Sequence, residues 1–255
     1  MTEFELKLEV PQDSREQVVL AFGKARRQRL QARYFDTDKL ALAQAKIVVR
    51  VRKEGSRWVQ TAKAPSGNSL ERLEHNVPLP RPAAGTMPAV DLSRHTGTPL
   101  EARLRKALDL KSGDPFPALS LVFETDVQRQ VIGAKAGRST VEIAFDRGRV
   151  AAGERHTPLC ELEFELKAGH PHDAVRLAGA WCKRHGLWIS SISKSAKGQR
   201  LAEPSVPQAT TARAVSLDGA ATIGEAAAAM VAMAAKAVSV RIICGVPFSS
   251  WKLLP

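Results

Sequence analysis

The chain has 255 residues, enough for one large core or for one domain and part of another, and its 38 Lys+Arg against 26 Asp+Glu give a formal charge of +12. Such a surplus selects for an anionic partner: nucleic acid, a membrane surface or a phosphorylated small molecule. No 18 uncharged apolar residues run together, and Cys160, Cys182 and Cys244 form neither a CxxC pair nor a zinc spacing, which excludes a membrane-spanning helix, a disulfide framework and a zinc finger. The charged start is unlike a signal peptide, so a soluble, cytoplasmic protein is expected.

Residues 3–10 alternate strictly, with Glu3, Glu5, Lys7 and Glu9 against Phe4, Leu6, Leu8 and Val10, and read as a strand. A helix is predicted over 14–32, with Ser14 as its N-cap after Pro11 and Glu16 in its first turn. Further strands are predicted around 31–36, 45–53, 57–63, 70–78, 119–131, 139–146 and 160–167. Turn signals such as Glu54-Gly55-Ser56 and Pro65-Ser66-Gly67-Asn68 separate them. Helices are predicted over 99–110 and 171–185, the second capped by Gly186, and a short one over 194–202. Strands outnumber helices and short turns join them, so the fold class is α+β, mainly β: an eight-stranded closed antiparallel β-barrel with helices packed outside. The Pro/Ser/Thr/Ala-rich stretch 203–213 reads as a linker, and 214–255 as a helical fragment followed by an irregular tail.

The charges fall on one face of strand after strand: Glu3, Glu5 and Lys7; Arg50 and Arg52; Thr61 and Lys63; Arg72 and Glu74; Thr125 and Arg129; Glu142 and Asp146; Glu161, Glu163 and Glu165. A solvated sheet face explains any single strand. Seven such strands instead suggest charged faces curled inward, where a buried charge must be paired. Cationic side chains grip phosphate oxygens, whereas carboxylates tolerate a polyphosphate only if a hard cation bridges the two. The mixture of signs therefore predicts a metal-bound polyanion.

The same residues resemble the CYTH domain, the family of triphosphate tunnel metalloenzymes. Glu3-Phe-Glu-Leu-Lys7 fits its N-terminal ExExK signature. That pattern is weak alone, but it is joined by Tyr34-Phe-Asp-Thr37, Arg50-Val-Arg52, Trp58-Val-Gln-Thr-Ala-Lys63 and Arg72-Leu-Glu74. Thr125-Asp-Val-Gln-Arg129, Glu142-Ile-Ala-Phe-Asp146, Cys160-Glu-Leu-Glu-Phe-Glu165 and Ser193-Lys194-Ser follow in order, so that the resemblance covers 1–202. It implies a tunnel that binds a linear triphosphate with Mg²⁺ or Mn²⁺ and hydrolyses inorganic triphosphate to pyrophosphate and phosphate. The long bacterial form carries a helical CHAD domain after the tunnel, and Ala214–Met230 looks like the opening of one.

By the same resemblance the metal ligands are Glu3, Glu5, Glu161 and Glu163, with Glu5, Glu161 and Glu163 catalytic and Glu165 nearer the rim. Lys7, Arg50, Arg52, Lys63, Arg72, Arg129 and Lys194 form the triphosphate clamp, with Lys197 a weaker candidate. Glu142 and Asp146 either complete the acidic side or pair with arginines, and Tyr34 either lines the tunnel or packs in the core. No general base stands out, and all six histidines are expected in loops or helices outside these motifs. The alternatives are adenylate cyclase or other nucleoside or thiamine triphosphate chemistry in the same tunnel, or a non-catalytic polyphosphate- or RNA-binding module. For the last, Arg26, Arg27, Arg29 and Arg33 would form a basic helix face, but no interleaved aromatics support base stacking, which argues against nucleic acid.

Overall fold

A computed structural model describes residues 2–66, 71–190 and 192–203, with the backbone alone at residues 2, 3 and 71. The predicted helical fragment at 214–255 lies outside the described residues, as does all but the first residue of the predicted linker. The strands are β1 (Thr2–Glu9), β2 (Arg26–Asp36), β3 (Val48–Glu54), β4 (Arg57–Pro65), β5 (Glu71–Leu79), β6 (Ser120–Ala136), β7 (Ser139–Ala152), β8 (Arg155–Ala168) and β9 (Trp188–Ile189). The α-helices are α1 (Arg15–Phe22), α2 (Ala41–Gln44), α3 (Pro99–Ala107), α4 (Pro171–His185) and α5 (Lys194–Ala202). The fold is mainly β, as the turn spacing predicts, but the sheet has nine strands rather than the expected eight, because the two-residue β9 adds to the edge of β1.

All strands join one antiparallel sheet in the order β5-β4-β3-β2-β6-β7-β8-β1-β9. The first strand of that order, β5, also pairs with β1, from Thr2↔Leu73 to Phe4↔Glu71. Directly opposed residues on paired strands share a face, so the registers place the charges. Glu9 faces Glu161, Glu161 faces Asp146, and Asp146 faces Arg129; Lys7 faces Glu163 and Glu5 faces Glu165. On the other side Arg50 stands between Tyr34 and Thr61, and Lys63 faces Glu74. The single charged face read from the alternation is therefore continuous around the sheet.

The opposite face is apolar and carries helices. Leu8, Ile143, Phe145, Leu162 and Phe164 pack with Val18 and Phe22 of α1 and Ala174 and Ala178 of α4. Val49, Ala62 and Ala64 pack with Leu42 of α2 and Leu100 and Leu104 of α3. The predicted Gly186 cap of α4 is present, with φ 61° and its N–H donating to the Cys182 carbonyl.

Three further expectations are corrected. The helix predicted over 14–32 stops at Phe22, where Gly23 takes a positive φ of 44°, and Arg26–Asp36 is a strand instead. Leu30, Ala32, Tyr34 and Asp36 are buried on alternate positions, and ladders to β3 and β6 satisfy the backbone of a segment whose Arg, Gln and Ala content favours helix locally. Arg26, Arg27, Arg29 and Arg33 therefore form no helix face; Arg29 and Arg33 pair across the sheet with Asp126 and Glu124. His75 and His156 lie in β5 and β8 rather than in loops or helices. Finally, not every helix packs outside: α5, predicted at 194–202, lies on the charged face. Its Leu201 and Ala202 pack on Leu30, Tyr34, Phe123, Val150 and Leu159. Among the described residues no helix is long and apolar enough to cross a membrane.

Candidate active site

The residues flanking β1 converge because three neighbouring strands present charges in register and α5 projects lysines onto them. Asp146 on β7 and Glu161 on β8 are fully buried, and Glu163 is nearly so. One carboxylate oxygen from each lies within 4.8 Å of the other two, a grouping able to hold a metal ion. Arg129 on β6 grips Asp146 with both arms, Nε to Oδ1 at 2.7 Å and Nη2 to Oδ2 at 2.6 Å, and its Nη2 also donates to Glu163 Oε2. Lys7 Nζ lies 3.4 Å from Glu5, 3.3 Å from Glu163 and 3.9 Å from Glu161.

α5 completes the group. Ser193 caps it, its hydroxyl accepting from the Ala196 N–H, and Lys194 opens the helix. Lys194 Nζ lies 2.7 Å from Asp146 Oδ2, 2.5 Å from Glu161 Oε1 and 2.6 Å from Glu163 Oε1. One turn on, Lys197 Nζ donates to Glu9 Oε1 at 2.6 Å and to Glu161 Oε2 at 3.1 Å, and the Ser190 hydroxyl donates to the same Glu9 oxygen at 3.2 Å.

Burial by itself opposes ionisation at each of these groups, so the pKa directions show which pairings win. At Glu163 the cations Lys194, Arg129 and Lys7 outweigh burial and hold the carboxyl well below its ordinary range. At Glu161 burial is likewise outweighed by Lys194 and Lys7, which lower its carboxyl. The carboxylates in turn raise Lys194, Lys7 and Arg129 against burial, so all three stay cationic. Glu5 is the exception. Burial and the neighbouring Glu163 charge push its carboxyl up, beyond what Lys7, Lys63 and Lys194 recover.

A second arc of cations stands on β3, β4 and β5. Arg52 pairs with Glu54, and Lys63 Nζ lies 2.7 Å from Glu74. Arg72 donates to the Lys46 carbonyl at 3.0 Å. Arg50 Nη1 reaches the Tyr34 hydroxyl at 3.4 Å, while its buried Nε has no hydrogen-bond partner among the described residues. Tyr34 is buried and stacks on Phe123 at 4.3 Å between centroids, with its hydroxyl turned to Arg50.

The structure thus brings together Glu5, Lys7, Arg129, Glu161, Glu163 and Lys194, with Arg50, Arg52 and Lys63 on the same face. The Glu3 side chain lies outside the described residues. Glu165, opposite Glu5 in register, pairs with Lys167 at 2.6 Å, and Glu142 lies 3.8 Å from the same lysine. Asp146 resolves as both an arginine partner and part of the acidic group. Glu9 and Glu54 are absent from the predicted site. The signal was there, because the period-two face of Glu3, Glu5 and Lys7 continues to Glu9, and that of Arg50 and Arg52 to Glu54.

The chain as a whole resembles known proteins. The chain is 30% identical over 172 residues to the inorganic triphosphatase of Haemophilus influenzae, an alignment covering 66% of this chain and 44% of that protein. It therefore spans less than half the length of that relative. Its fold matches a structure from Hippeastrum described as an adenylyl cyclase with a dominant triphosphatase activity, with a TM-score of 0.54 at 19% identity, covering 77% of this chain and 95% of the other. The family model for the CYTH domain matches residues 1–198, which hold β1 to β9 and the start of α5 with every charged group above, and so the chain belongs to the CYTH domain family.

Proposed function

We propose that this chain hydrolyses inorganic triphosphate to pyrophosphate and phosphate, with Mg²⁺ or Mn²⁺, inside the sheet acting as a closed tunnel. The observation that carries the reading is the juxtaposition on one continuous face of a carboxylate group able to hold a cation with buried cations, one of which, Arg50, keeps a donor without a partner. A polyphosphate chain with a bridging cation is the ligand that satisfies both. The β1–β5 pairing supports closure, and the inorganic triphosphatase from Haemophilus influenzae supports the substrate.

The residues fit a divalent ion: Asp146, Glu161 and Glu163 would hold it with hard oxygen ligands, Glu5 standing beside them. When bound, such an ion neutralises phosphate charge as a Lewis acid. The remaining work falls to the chain's own groups. Lys7, Arg129 and Lys194 would bind phosphate oxygens near the acidic side, and Arg50, Arg52, Lys63 and Arg72 would hold the rest of the chain straight. That arrangement suits a loose transition state with charge spread over the transferred oxygens.

The test is phosphate release from inorganic triphosphate, ATP and thiamine triphosphate with Mg²⁺, with Mn²⁺ and with EDTA. Fast release from inorganic triphosphate that EDTA abolishes is expected. Release that ignores EDTA, or none from any substrate, would overturn the reading.

A further inference from the structure

Lys194 is, among the described residues, the one cation in salt-bridge contact with all three members of the Asp146–Glu161–Glu163 group. Its Nζ sits 2.5–2.7 Å from one oxygen of each. Lys7 misses Asp146, and Arg129 reaches only Asp146 and Glu163. The ammonium thus lies at the point where the three carboxylates converge, which is the point a metal ion would take. These carboxylates are also already compensated, by Arg129 and Lys7 as well as Lys194. A divalent ion arriving alone would have to expel this ammonium from the three carboxylates it is paired with, and would add to the positive charge of a cluster that already holds Lys7 and Arg129.

We propose that Lys194 holds the cation position until triphosphate arrives, so that metal binds only together with the anion that takes the ammonium over. The proposal rests on the triphosphatase reading for the identity of that anion. It defines the substrate as the metal–triphosphate complex rather than a free anion meeting a preloaded metal enzyme. The exchange needs no movement of α5, because Lys194 is its first residue and the helix is anchored downstream, where Gly198 meets Phe123. The four-carbon stem alone can swing the charge from carboxylate to phosphate.

The test is titration of the whole chain with Mn²⁺ alone, followed by the loss of the free-ion paramagnetic signal and by calorimetry, for wild type and Lys194→Met. Wild type should bind Mn²⁺ alone weakly, and Lys194→Met should bind it roughly tenfold or more tightly. Removing the ammonium leaves carboxylates uncompensated, so the variant should also melt lower without metal and regain its lost melting temperature with Mn²⁺. If the variant does not fold even with Mn²⁺, wild type decides the matter through Mn²⁺ titrations with and without a non-hydrolysable imido-triphosphate. Retention of Mn²⁺ only alongside the analogue supports the exchange; equally tight binding of Mn²⁺ alone overturns it. Neither readout uses turnover. Absence of phosphate release would sink the triphosphatase reading while leaving the exchange standing, and tight binding of the lone metal would do the reverse.

Discussion

Gly198→Ala should destabilise the protein, although the substitution stabilises most helices. A Cβ at Gly198 would lie 2.1 Å from Cδ2, 2.2 Å from Cε2 and 2.4 Å from Cγ of Phe123, where ordinary contact begins near 3.4 Å. Helix or ring must therefore retreat by about 1.3 Å, the difference between 3.4 and 2.1 Å. The ring has little room, since Phe123 is buried and stacked on Tyr34 with an interplanar angle of 16°. Overpacking of this kind costs about 1–3 kcal/mol, and replacing a helical glycine by alanine returns at most about 1 kcal/mol. A net loss of about 1–2 kcal/mol lowers the Tm of a chain of this size by roughly 2–8 °C. Because Lys194 lies one turn upstream on the same helix, displacement of α5 should also reduce kcat/KM. Thermal unfolding and phosphate release would be measured on Gly198→Ala, Phe123→Ala and the double variant. The double variant should be more stable than the summed single losses imply, because the smaller side chain removes the clash. A Gly198→Ala protein as stable as wild type, or more so, would refute this account of how α5 is seated.

Three further outcomes are expected. Glu163→Gln should abolish triphosphate hydrolysis, and because Glu163 contacts Lys7, Arg129 and Lys194, it should also lower stability by a few kcal/mol; turnover within tenfold of wild type would remove Glu163 from the site. Arg50→Ala should raise KM and lower kcat together, with kcat/KM down about tenfold or more, since a clamp acts in both ground and transition states; a change confined to KM would assign it uniform binding alone. The third concerns His95, which is fully buried and neutral: Gln60 accepts from the Asp91 N–H through Oε1, so its amide nitrogen donates to His95 Nε2, which leaves the proton on Nδ1 facing His75. Burial, and then the nearby His75 charge, lower His95 to about 4 from 6.5. The folded protein therefore binds fewer protons than the unfolded chain between those values. The stability from this group is complete above pH 6.5 and falls by about 3 kcal/mol as the pH drops to 4. Urea unfolding of wild type and His95→Gln at pH 7 and pH 4.5 should show a shallower loss in the variant; parallel losses would count against a neutral His95.

Period-two alternation is a local property of the chain, and it placed Glu5, Lys7, Arg50, Arg52, Lys63, Arg129, Glu161 and Glu163 on one face before any partner strand was known. A one-residue slip would turn each set to the apolar side, so the pattern also constrains register. Helix punctuation was legible in part: Gly186 ends α4 as expected, whereas Ser14, expected to cap α1, makes no side-chain capping bond there. Residues 26–32 were not legible, because their composition suits a helix and only ladders to β3 and β6, distant in sequence, make them a strand. The family resemblance put Lys194 in the clamp, but no local pattern in Lys194-Ser-Ala-Lys197 says that α5 lies on the charged face rather than outside it. That placement depends on the fit of Gly198, Leu201 and Ala202 against side chains from β2, β6, β7 and β8. The sequence thus determined which charges share a face, through the geometry of the strand itself, whereas only the tertiary structure decided which charges meet, because the ammonium of Lys194 and the carboxylates of Asp146, Glu161 and Glu163 come from separate elements brought within 3 Å by packing.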